Sequence, residues 1–160
     1  MIDRQTIKAF YVAGLSVRTS NSLEASPHGK IPVVWQQLFE MSIGQSIPNK
    51  VSDDIYAVYT DYESDHTGDY TYVLGYCVPS IEDLAKRYTI AEVPGGEYAV
   101  IASDTGPVRQ IVPGIWQKIW AMTPDELQGT RAYRADFELY DRRAQNPSAA
   151  QIDVFVGLKH

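Results

Sequence analysis

In the segment Asp136-Phe137-Glu138-Leu139-Tyr140, apolar and polar residues alternate with a period of two. A strand with that pattern turns Phe137 and Leu139 to one face and Asp136, Glu138 and Tyr140 to the other. Two environments for Glu138 follow. It is an exposed strand glutamate or one satisfied by a protein Arg or Tyr; or it lies in an aromatic pocket, where desolvation demands a partner charge that a bound cation would supply. Tyr59 and Tyr140 are candidates for lining such a pocket. Tyr72, Tyr76 and Phe155 share a parity on two other strand-like segments and are candidates for its walls, as is Trp116. An aromatic face attracts a cation by roughly 0.5–2 kcal/mol. Two or three faces, a carboxylate and apolar burial therefore suffice for micromolar affinity, about −8 kcal/mol net.

Other chemistries find less support. The acidic run Asp61, Glu63, Asp65 places His66 where a calcium loop needs glycine and Tyr72 where it needs a terminal carboxylate, so a solvated hairpin loop is expected. His28, His66 and His160 have no metal-ligand spacing. Gly95-Gly96 lacks the Lys-Ser/Thr ending of a phosphate loop and instead suits a bulge that bends a strand, with Gly14 expected to do the same earlier in the chain. Cys77 lies among apolar neighbours as a small buried hydrophobe. No metal or cofactor is expected.

The elements that would position these residues repeat. Trp35-Gln36-Gln37-Leu38-Phe39-Glu40-Met41 lies over Trp116-Gln117-Lys118-Ile119-Trp120-Ala121-Met122 at an offset of 81, taking residue 35 onto 116. The same ungapped shift places Gly14 on Gly95, Pro32 on Pro113, Tyr59 on Tyr140 and Val73 on Val154, while Glu138 falls on Ala57. A carboxylate present in only one copy is not demanded by the scaffold. Trp35, Leu38, Phe39 and Ile43 form an apolar helical face repeated by Trp116, Ile119 and Trp120, and both faces read as core-directed, with Trp116 the exception assigned to the pocket. Pro32 and Pro113 are expected in the first turns of the two helices. Strands are expected over about 6–18, 54–62 and 70–78 in the first copy and 87–103, 133–141 and 151–159 in the second. The fold expected is α+β: βαββ units duplicated with pseudo-twofold symmetry over about 1–79 and 82–160, sharing one antiparallel sheet with two helices packed on it. The seam between copies is the natural cleft.

Composition narrows the setting. With 160 residues, 44% hydrophobic and 21% charged, the chain is expected to form one folded domain without a membrane span. A net charge of −6 is the wrong sign for direct nucleic-acid binding. A single cysteine and an N-terminus unlike a secretory leader make cytoplasm the expected compartment.

Five segments carry a family resemblance: Val93-Pro94-Gly95-Gly96-Glu97-Tyr98-Ala99-Val100, Trp116-Gln117-Lys118-Ile119-Trp120, Asp136-Phe137-Glu138-Leu139-Tyr140, Asp153-Val154-Phe155-Val156-Gly157-Leu158-Lys159, and Gly68-Asp69-Tyr70-Thr71-Tyr72-Val73-Leu74-Gly75. Their order resembles the effector-binding domain of AraC- and MerR-type multidrug regulators, the gyrase-inhibitor-like small-molecule-binding family. With no stretch left for a DNA-binding helix-turn-helix, the chain is similar to stand-alone members, including those carried on integron cassettes. The resemblance implies a pocket for lipophilic, often cationic small molecules with an inner-strand glutamate, here Glu138, as counter-charge. It leaves open hydrolysis of strained electrophiles by Glu138 and a tyrosine. It also leaves open a role as the protein-interaction subunit of a DNA-binding regulator or of gyrase. Oligomeric state is not readable.

Overall fold

The alternating Tyr, Val and Ile residues of each repeat form strands, and the computed structural model, described here for residues 2–160, joins them into one eight-stranded antiparallel sheet. The first repeat contributes β1 (Ile2–Ile7), β2 (Phe10–Ser20), β3 (Ile55–Thr60) and β4 (Asp69–Val78), with helices α1 (Asn21–Glu24), α2 (Ile31–Glu40) and α3 (Ile43–Ser46) between β2 and β3. The second contributes β5 (Thr89–Val93), β6 (Gly96–Ala102), α4 (Val108–Ala121), α5 (Pro124–Leu127), β7 (Arg131–Tyr140) and β8 (Asp153–Leu158). Sheet order is β1-β6-β8-β7-β3-β4-β2-β5.

That order is symmetric about the β3–β7 seam, and it exchanges the edges. β1 pairs with β6 of the second repeat, while β5 pairs with β2 of the first. Ile7 lies opposite Gly96 and Phe10 opposite Val93, so the same crossing occurs twice. Each long expected first strand, 6–18 and 87–103, is thus broken in two, with its first half hydrogen-bonded only to the other repeat and its second half to both. In the second repeat the break falls at Pro94-Gly95, followed by Gly96 at φ +148°, as the glycine pair anticipates. In the first it falls at Lys8-Ala9, not at Gly14. Gly14 lies inside β2 opposite Gly75, where the two backbones approach so closely that a Cβ on either would overlap a carbonyl oxygen of the other strand.

The helices differ from expectation in a related way. Pro32 does sit in the first turn of α2, but Pro113 lies inside α4, which begins at Val108. Ile43 belongs to the separate short helix α3, because the chain leaves α2 at Met41 and Ser42 adopts φ 50°. The start of α2 is capped by Glu24, whose carboxylate accepts from the backbone N–H groups of Lys30 and Ile31 at 2.9 and 3.0 Å.

Two cores result. Val34, Leu38, Ile115 and Ile119 from the helices meet Ala57, Leu74, Val154 and Val156 on one sheet face. On the other face, Val12, Val58, Val73, Phe137 and Phe155 are buried without any helix among them. Sheet curvature explains this burial. Phe10 on β2 is three strands from Phe137 on β7, about 14 Å in a flat sheet, yet their ring centroids are 5.3 Å apart. The sheet therefore curls strongly, its edges β1 and β5 remaining unpaired with each other, and leaves its helix-bearing face splayed open along the β3–β7 seam.

Because the β2–β4 approach tolerates no side chain, Gly75→Ala should destabilise the fold by about 3 kcal/mol. Gly114→Ala, in α4 with open space around the added methyl, should stabilise by about 0.5–1 kcal/mol. Urea unfolding of the two variants would check the contrast, and equal midpoints would contradict the close approach.

Candidate functional site

Between α2, α4 and the seam lies a cavity of about 990 Å³, with walls drawn from both repeats. Trp35, Phe39, Tyr59, Tyr62, Tyr70, Tyr72, Trp116, Trp120 and Tyr140 all contribute to it, as does Glu138. The arrangement follows from the strand registers. Glu138 lies directly opposite Ala57 on β3, the small residue that leaves room for it, and Tyr59 lies opposite Tyr72 on β4. Aromatic contacts then cross the seam symmetrically. Trp35 of the first repeat meets Tyr140 of the second with centroids at 4.8 Å, and Trp116 of the second meets Tyr59 of the first at 5.0 Å.

Glu138 is 1% exposed. Its Oε2 accepts from the Tyr59 hydroxyl at 2.8 Å and the Trp116 Nε1–H at 2.6 Å, and its Oε1 accepts from the Tyr140 hydroxyl at 2.7 Å. All three donors are neutral. Hydrogen bonding thus satisfies the carboxylate, partly as the protein-tyrosine alternative anticipates, while none of the ion pairs among the described residues involves it. Burial raises its pKa above the ordinary value of 4.5, against the opposing pull of the bonds from Tyr140, Trp116 and Tyr59. Burial, reinforced by the Glu138 charge, likewise lifts the hydroxyls of Tyr59 and Tyr140 far above their usual range.

Asp136, on the same face two residues earlier, is handled differently. It accepts from Arg131 Nη2 at 2.6 Å, from the Tyr62 hydroxyl, and from the Gly157 backbone N–H at 2.8 Å. Nearby arginine therefore goes to Asp136, leaving Glu138 without a cation.

Of the residues singled out from sequence, Glu138, Tyr59, Tyr140, Tyr72 and Trp116 meet at this cavity, and Tyr76 and Phe155 do not. Tyr76 has the right face but lies four residues along β4, roughly 13 Å away, under the ammonium of Lys50 and against Gly44. Phe155 is on the opposite face, stacked on its cross-strand partner Phe137 at 4.4 Å. The cause is a register difference of one residue. Ala57 pairs with Leu74, but its counterpart Glu138 pairs with Val154, not with Phe155 as an ungapped shift requires. One residue of slip reverses every face of a strand.

Phe39 and Trp120 also depart from the core role expected of them. They are 60% and 36% exposed at the cavity rim, where Trp120 stacks on His66 of the β3–β4 loop. Each helical apolar stripe is wide enough to be divided, one edge entering the core and the other facing the cavity. Sequence reasoning missed Tyr62, Tyr70 and Arg131. Tyr70 shares the parity of Tyr72, a signal that was available; Arg131 carries none. Cys77 is half-buried rather than buried. No cluster that could hold a metal occurs among the described residues, and no helix there is long and apolar enough to cross a membrane.

A model of the integron-associated effector binding protein family matches residues 5–158. The Bacillus subtilis (strain 168) protein YobU, whose name assigns it provisionally to transcriptional regulators, is 35% identical over 148 residues, spanning 92% of this chain and 91% of its own. The integron cassette protein VCH_CASS2 of Vibrio cholerae has the same fold at TM-score 0.76 and 26% identity, covering 99% of this chain and 95% of its own. SAV2435, solved bound to tetraphenylphosphonium, superposes at TM-score 0.78 with 17% identity, covering 99% and 94%.

The raised pKa of Glu138 makes a stability prediction. Just above the ordinary glutamate value the folded protein keeps a proton that the unfolded chain has lost, so stability falls as pH rises, until Glu138 itself ionises and the curve levels. Glu138→Gln, which does not titrate, should remove that fall. Thermal unfolding of both proteins across pH 4–9 reads the difference; parallel curves would place Glu138 in a solvated site.

Proposed function

We propose a receptor function for this chain, which belongs to the integron-associated effector binding protein family: it binds lipophilic cations in the cavity between its repeats, with Glu138 as counter-charge. The observation that carries the reading is a carboxylate buried among neutral donors, on the wall of a large aromatic cavity, with no protein cation on it. A bound cation would relieve the cost of ionising Glu138, and the faces of Trp35, Tyr59 and Trp116 would add cation–π attraction. The two repeats act as one ligand-binding unit, since neither supplies the whole wall. We place this unit in the cytoplasm as a sensor or sequestering module without turnover. A DNA-binding regulator is the partner consistent with the regulatory name of YobU.

A second reading rests on the close Tyr59 and Tyr140 contacts with Glu138, which would suit a base and an orienting acid in hydrolysis of a strained electrophile. Turnover of such a substrate that Glu138→Gln abolishes would favour it.

Methyltriphenylphosphonium and neutral triphenylphosphine oxide, which differ by a methyl group in place of an oxygen, separate charge from shape, and all three tryptophans line the cavity to report binding. The cation should bind in the micromolar range, at least tenfold more tightly than the oxide. Glu138→Gln should weaken the cation by roughly 10–100-fold and the oxide by less than about twofold. Cation affinity should rise with pH as Glu138 loses its proton and then become flat. Equal affinity for the two compounds would remove the counter-charge role.

A further inference from the structure

Arg131 opens β7 and is 8% exposed, at the junction of the main cavity and an adjoining crevice of about 180 Å³. Its Nη2 is committed to Asp136 at 2.6 Å, but its Nε and Nη1 are buried with no acceptor among the described residues. A guanidinium offers five N–H donors, and a buried donor without a partner loses its hydration with nothing in return. The local backbone is built to hold it there. β7 and β8 pair at Arg131–Leu158 and again only at Asp136–Val156, and the bulge between puts Tyr133 at φ 54°, unusual for an aromatic residue. The Tyr133 ring lies 4.3 Å from the guanidinium carbon, and the Trp116 ring lies 5.9 Å from it.

Trp116 also donates to Glu138, so one indole separates the uncompensated carboxylate from the unfilled donors. The repeat does not require this arrangement: the ungapped counterpart of Arg131 is Lys50, outside any strand and paired with Asp53. Asp136 already balances the charge of Arg131, so the guanidinium does not repel a cation at Glu138.

We propose that Arg131 is a second recognition point, taking the carboxylate of an amphoteric lipophilic ligand whose cationic centre sits at Glu138. This rests on the receptor function above and narrows its ligand class from simple cations to zwitterions.

The test compares (4-carboxybutyl)triphenylphosphonium with its methyl ester by calorimetric titration of the full chain at neutral pH. The free acid should bind about tenfold more tightly than the ester. Arg131→Lys keeps a cation for Asp136 but removes the free guanidinium donors, so it should weaken the acid more than the ester and bring the two within about threefold. An acid that binds no better than its ester, or an advantage that survives Arg131→Lys, overturns the proposal. Should the lysine variant not fold, the wild-type ratio decides alone. Ester binding that Glu138→Gln weakens would leave the receptor function standing even then, whereas failure of both compounds to bind would remove both readings.

Discussion

A carboxylate with three neutral hydrogen-bond donors and no cation is an electrostatic imbalance that the surrounding fold must sustain. Water could solvate Glu138, but Tyr59, Tyr140, Trp116 and the helices over them exclude it. Hydrogen bonds compensate part of the lost hydration, and the remainder is expressed as a raised pKa. A protein arginine within the same cavity wall is already committed to Asp136. The molecule thus carries one balanced buried pair and, close by, one unbalanced acid.

The cavity exists because of how the two repeats exchange strands. With β1 on the second repeat and β5 on the first, neither repeat can leave without breaking an edge of the other. The exchange curls the sheet around the Phe137–Phe155 core and opens its other face at the β3–β7 seam, where Trp35 and Trp116 each lean on a tyrosine from the opposite repeat. Symmetry places the paired aromatics Trp35 and Trp116, and two departures from it, Glu138 opposite Ala57 and Arg131 in the β7 bulge, put buried charged groups beside them. The shared scaffold and the groups proposed to give specificity thus come from different residues of one duplicated unit.

Much of the site was readable before any coordinates. The alternation around Glu138 put it on the face of Tyr140, and the tryptophan repeat gave both helices. The errors share an origin. Helical spacing located Phe39 and Trp120 on an apolar stripe but could not say which edge of that stripe would be covered. The ungapped identity of Val73 with Val154 implied a common face, while the strand registers put Val73 under Phe137 and Val154 against the helices.

Periodicities of two and 3.6 are properties of a local backbone, so the chain by itself determined the strands, the helices, the duplication and the side of β7 that Glu138 occupies. Which strand lies beside which, and in what register, depends on hydrogen bonds between residues as far apart as Arg4 and Ala99. Only the assembled sheet could therefore send Phe155 away from the cavity, leave Tyr76 beyond its end and bring Arg131 within one indole of Glu138.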